Sequence, residues 1–114
     1  MVTIDVHHHI VPDFFWRETN EAHGPVGGIA PPPWSPESTL AFMDDAGIDV
    51  AVTSISTPGV HTGNDRRARS LARRCNELAA GLVQAHGARE HCIVRFSAVS
   101  PNETCRRRRH EPRN

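Results

Sequence analysis

The chain has no tyrosine and no lysine, so all 13 of its cationic side chains are arginine. With 13 acidic residues against them the formal net charge is zero, which excludes a whole-chain electrostatic pull on nucleic acid or a membrane surface. No apolar run reaches the roughly 18 residues that a membrane-spanning helix needs. The N-terminus enters a strand pattern at once, without a basic stretch leading into an apolar one, so no secretory leader is expected. Cysteine is scarce. Cys75, Cys92 and Cys105 are odd in number and lack Cys-X-X-Cys spacing, for which a reduced, cytoplasmic compartment is the simplest expectation. Aromatic residues supply 5% of the chain and apolar residues 38%, beside nine prolines and eight glycines. A length of 114 residues then allows one domain at most, with a modest core.

What the chain does have is concentrated at its start. Ile4-Asp5-Val6-His7-His8-His9 reads as a short buried strand that delivers two imidazoles to one point. Residues two apart on extended backbone project to the same side, so His7 and His9 can share a metal ion while His8 points the other way. Imidazole nitrogen suits zinc and other divalent first-row metals, and two ligands leave positions open for further ligands and water. The rival reading is a surface or tag-like His run. A tag sits outside a folding pattern, whereas this run is continuous with the alternating Val2-Thr3-Ile4-Asp5-Val6 segment.

From His7 to Ser35 the sequence reads as one long connection holding Phe14, Phe15 and Trp16, then Gly24-Pro25, Gly27-Gly28, Pro31-Pro32-Pro33 and Trp34. It is expected to be a lid over the His pair, or else an insertion whose aromatics cover one end of the fold. A helix then opens with Ser35 as cap, Pro36 in its first turn and Glu37 at its positive end. Leu40, Met43 and Ala46 give it an apolar stripe, and Gly47 suits the left-handed position that closes it. Ile48 to Ile55, β-branched and apolar on both faces, has the pattern of a parallel strand covered on each side.

After the turn-rich segment 56–63, Asn64 or Asp65 caps the longest helix, which runs to about His86 with Gly87 as terminator. Ala68, Leu71, Ala72, Cys75, Leu78, Ala79, Leu82 and Val83 form one apolar face, on which Cys75 is a small core residue. Arg66, Arg67, Arg69, Arg73 and Arg74 lie mostly off that face and read as a solvated surface rather than a nucleic-acid footprint. The order strand, helix, strand, helix predicts an α/β fold with a parallel sheet.

Past Arg89 the pattern weakens. Residues 90–96 make a poor third strand, interrupted by Arg95. Residues 105–114 hold one cysteine and no other apolar side chain, so disorder is expected there. The run Arg106 to Arg109 has no interleaved aromatic and reads as a solvated tail, not a polyanion site. The expected division is therefore 1–88, a folded portion, and 89–114, an aberrant, disordered Arg-rich tail.

Three stretches resemble the N-terminal part of the amidohydrolase superfamily, in the branch of aminocarboxymuconate semialdehyde decarboxylase and related aromatic acid decarboxylases. They are the opening Ile4-Asp5-Val6-His7-His8-His9-Ile10-Val11-Pro12, the segment Met43 to Val52, and the helix holding Arg74-Cys75-Asn76-Glu77. The resemblance covers residues 3 to 88. It implies the first two to three βα units of a (β/α)8 TIM barrel, with His7 and His9 as ligands of a divalent metal, most simply Zn2+. It also implies a metal-dependent hydrolase or non-oxidative decarboxylase (carboxy-lyase) acting on a small carboxylated or cyclic metabolite. Phe14, Trp16, Arg17 and Trp34, in the connection after the first strand, are then candidates to approach that substrate.

Such a barrel takes about 250 residues, and the family's two further His ligands and its acidic ligand come from later strands. His61, His23 and His86 read as loop and helix-end residues instead. His91 and His110 lie in the tail. The chain is thus expected to be an N-terminal fragment whose tail is read out of frame after about Arg89. The competing expectation is a non-catalytic truncated product with no independent function. Its open sheet edge would favour self-association, with no nucleic-acid or membrane partner.

Overall fold

The computed structural model describes residues 1–25, 28, 30 and 33–86, together with the strand at 92–95. Its elements run β1 (Ile4–Ile10), α1 (Asp13–His23), α2 (Pro36–Ala46), β2 (Val50–Ile55), α3 (Asp65–His86) and β3 (Cys92–Arg95). The three strands form one parallel sheet in the order β1-β2-β3. The doubtful third strand is therefore present, with Val50 to Thr53 of β2 pairing Cys92 to Arg95. The expected disorder of 105–114, and the rest of the division at 89, lies outside the described residues.

Helix boundaries follow local chemistry. Ser35 and Ser38 form a capping box at the start of α2, with Pro36 in the first turn, and Gly47 closes it at φ 66°. That angle lies in the left-handed region that glycine enters without a Cβ penalty. Asn64 caps α3, its Oδ1 accepting from the Arg67 N–H at 3.0 Å. The loop after β2 contains a cis peptide between Thr57 and Pro58.

Two expectations are corrected here. The connection from 7 to 35 is not one loop, since Asp13–His23 is helical and buries Phe15 and Thr19. Thr19 can occupy a core position because its hydroxyl donates within the helix, to the carbonyls of Phe15 at 2.9 Å and Trp16 at 3.1 Å. On α2, Ala46 is exposed and Thr39 buried instead. Its Oγ1 accepts from the Trp34 indole N–H at 2.9 Å, which turns that side of the helix inward.

The core lies on one face of the sheet. Ile10, Ile48 and Ala51 pack against Met43 of α2 and Ala79 and Leu82 of α3, with Trp34, Leu40 and Ile55 at the margin. A second cluster joins α1 to α3 through Phe15, Leu71, Ala72 and Cys75, with Val60 from the loop. Across these helices Arg74 pairs with Glu18 and stacks its guanidinium 4.3 Å from the centre of the Phe14 ring. The opposite sheet face is open among the described residues: Ile4 is 55% and Val6 77% exposed. Neither the expected buried first strand nor a second strand covered on both sides is observed. Among the described residues the helices pack on one side, and the buried residues of β2 are the alternate positions Ala51 and Thr53.

Candidate metal centre at the end of the first strand

A bulge in β1 determines which side chains reach the open face. Asp5 pairs with Ala51 and His8 with Thr53, so Val6 and His7 together oppose the single residue Val52. Side chains on paired residues of a parallel ladder point the same way. Asp5, His8 and Ile10 therefore share the helix-covered face with Ala51 and Thr53. Ile4, Val6, His7 and His9 fall on the other face with Val50 and Ser54.

Asp5 fastens this kink. Its Oδ1 accepts from the His7 backbone N–H at 3.0 Å, and its Oδ2 accepts from His8 Nδ1–H at 3.0 Å. The His7 N–H, then the His8 imidazole, hold the Asp5 carboxyl below its ordinary range. His8 is thereby committed to structure. It is 8% exposed, bonded to Asp5, and tilted against Phe42 with ring centres 5.8 Å apart.

The two sequence-predicted site residues are brought together. His7 Nε2 and His9 Nε2 lie 2.9 Å apart, with the rings edge-on at 85°. His9 Nδ1 lies 3.0 Å from Ser54 Oγ, the residue it pairs with across the ladder. Both rings are exposed. Two nitrogens at the usual zinc distance from one ion, and separated as these are, would subtend roughly 90°, and parting by ~0.5 Å would give tetrahedral spacing. The donor set and its convergence fit a divalent metal. No group of three or more His, Cys, Asp or Glu able to hold an ion occurs among the described residues. Ser54 was not legible as part of the site, because only the ladder register puts it beside His9.

The other singled-out residues are placed elsewhere. Phe14 lies under Arg74, and Trp34 is packed on the α2 core. Arg17 is exposed on α1 and Trp16 half-buried. His61 is held in its loop, donating from Nε2 to Asp65 Oδ1 at 3.1 Å and accepting the Gly63 N–H at Nδ1. His23 Nε2 reaches the His61 carbonyl at 3.3 Å. No helix among the described residues is long and apolar enough to cross a membrane.

An open parallel sheet with helices on one face, and an imidazole pair at the carboxyl end of its first strand on the other, is the layout of the opening units of a (β/α) barrel, whose active sites lie at that end of the strands. Comparison with known proteins agrees. The chain is 33% identical over 103 residues to the decarboxylase macB of Penicillium terrestre, covering 89% of this chain and 30% of that protein. It is 34% identical over 104 residues to the decarboxylase yanB of Aspergillus niger, covering 90% and 28%. Over 86 residues it is 34% identical to the 6-methylsalicylic acid decarboxylase of Penicillium expansum, covering 75% and 26%. A solved amidohydrolase II structure superposes with a TM-score of 0.72 at 28% identity, over 83% of this chain and 30% of that one. No family model matches the chain. The sequence relatives and the structural neighbour bear out the resemblance to the amidohydrolase superfamily, and the chain spans between a quarter and a third of the length of the relatives it matches.

Proposed function

We propose that this chain forms the opening units of a carboxy-lyase barrel that removes carbon dioxide from a small aromatic carboxylic acid, with His7 and His9 as two ligands of a divalent metal, most simply Zn2+. The observation that carries the reading is the convergence of the two Nε2 atoms at 2.9 Å on the open sheet face. A metal held there supplies a Lewis acid for an anionic substrate or for bound water. The relatives with matching sequence are decarboxylases, one of them specific by name for 6-methylsalicylic acid. This favours loss of carbon dioxide over hydrolysis.

A second reading, a chain without catalytic function, is favoured by one observation: only two converging donors are found among the described residues. The two readings part on metal content and turnover. Metal analysis of the purified 114-residue chain after zinc loading and dialysis should find zinc in the wild type and in His8→Gln, and lose it in His7→Ala and His9→Ala. Equal zinc in all four proteins would sink the ligand assignment. Carbon dioxide release from 6-methylsalicylic acid by the zinc-loaded chain would exclude the non-catalytic reading.

A further inference from the structure

Both ring nitrogens of His9 are engaged, Nδ1 with Ser54 Oγ at 3.0 Å and Nε2 with His7 Nε2 at 2.9 Å. A neutral imidazole has one proton, on one nitrogen or the other, and only the bare nitrogen can bind a metal. A serine hydroxyl can serve either form, accepting from an Nδ1–H or donating to a bare Nδ1. When it accepts, His9 holds its proton at Nδ1 and offers a lone pair at Nε2. When it donates, the proton moves to Nε2 and closes that position.

We propose that Ser54 is the positioning residue of this pair: its hydroxyl accepts the His9 Nδ1–H and so aims the Nε2 lone pair at the point His7 also faces. The inference rests on the reading of the pair as metal ligands and adds the group that prepares it. Ladder pairing sets His9 and Ser54 side by side through the backbone register. Ser54 is itself half-buried. The 2.9 Å contact needs one donor and one acceptor, so with His9 accepting, the proton between the rings belongs to His7. The two ligands are therefore unequal. His9 is preset by a neighbouring strand, and His7 is the ring that must move its proton to Nδ1 when an ion enters.

Imidazole nitrogen NMR on the metal-free full chain tests this without activity. The expected spectra show His9 protonated at Nδ1 and His7 at Nε2, with the His9 preference lost in Ser54→Ala and kept in Ser54→Thr. In zinc titrations Ser54→Ala should bind about 10- to 100-fold more weakly, the range for removing a partner that orients a ligating His, and Ser54→Thr should stay close to wild type. Circular dichroism confirms that each variant is folded. A wild-type His9 protonated at Nε2, or a folded Ser54→Ala with unchanged zinc affinity, overturns the proposal. A wild type that binds no zinc overturns the ligand reading instead, and the NMR result then decides the role of Ser54 alone.

Discussion

Cys75 shows how a single side chain can report on packing that is otherwise silent. It is buried between α1 and α3, and loss of solvent pushes its thiol from the ordinary 9.0 up to about 11, against the opposing pull of Arg74. In the unfolded chain the thiol ionises first, so its contribution is complete below pH 9 and fades as pH rises toward 11. The thermal midpoint of the wild type should therefore fall more steeply between pH 9 and 11 than that of Cys75→Ala. Parallel slopes would mean that the thiol is hydrated. Residue by residue, the sequence was readable wherever chemistry is local. The His-X-His pair, the Ser35 cap, Gly47 and the core role of Cys75 all follow from neighbours within a turn or a strand. Ser54 and the bulge at Val6-His7 do not, because both depend on which residue of β2 lies opposite.

Among the elements, α1 is the instructive one. Its inward positions are Phe15 and Thr19, one turn apart, so a polar residue stands where an apolar periodicity would have signalled a helix. The glycines and prolines that follow, from Gly24 to Pro33, draw the whole stretch toward a loop reading. The long helix α3 was legible because six of its buried positions, from Ala68 to Leu82, are all small or apolar. Phe15 is the side chain that makes α1 part of the fold, being fully buried against Leu71, Ala72 and Cys75. Phe15→Ala should cost about 3–5 kcal/mol in denaturant unfolding, and it should free Arg74 from its stacking on Phe14. A loss under about 1 kcal/mol would mean that α1 docks too loosely to count as core.

For the whole molecule the governing feature is the difference between the two faces of one sheet. Strand β2 is apolar on both sides, yet the described helices cover only one of them, burying Ala51 and Thr53 and part of Ile55. The doubly covered strand that the sequence pattern suggests is not met among the described residues; a closed barrel, whose inner face is filled by side chains from the other strands, would meet it. In the described residues that face is open, and on it stand Ile4, Val6 and the His pair. Energetics should follow the asymmetry directly. Ile10, on the covered face, is 1% exposed, and Ile10→Ala should destabilise the chain by about 2–5 kcal/mol through lost transfer energy and a residual cavity. Val6, on the same strand and equally apolar, loses little on truncation because water already reaches it, so Val6→Ala should shift stability by no more than about 0.5 kcal/mol. Urea unfolding of the two variants beside the wild type gives the comparison. Comparable losses at both positions would show that the open face is covered in solution, and the inner side of the sheet would then have a partner that its exposure here does not reveal.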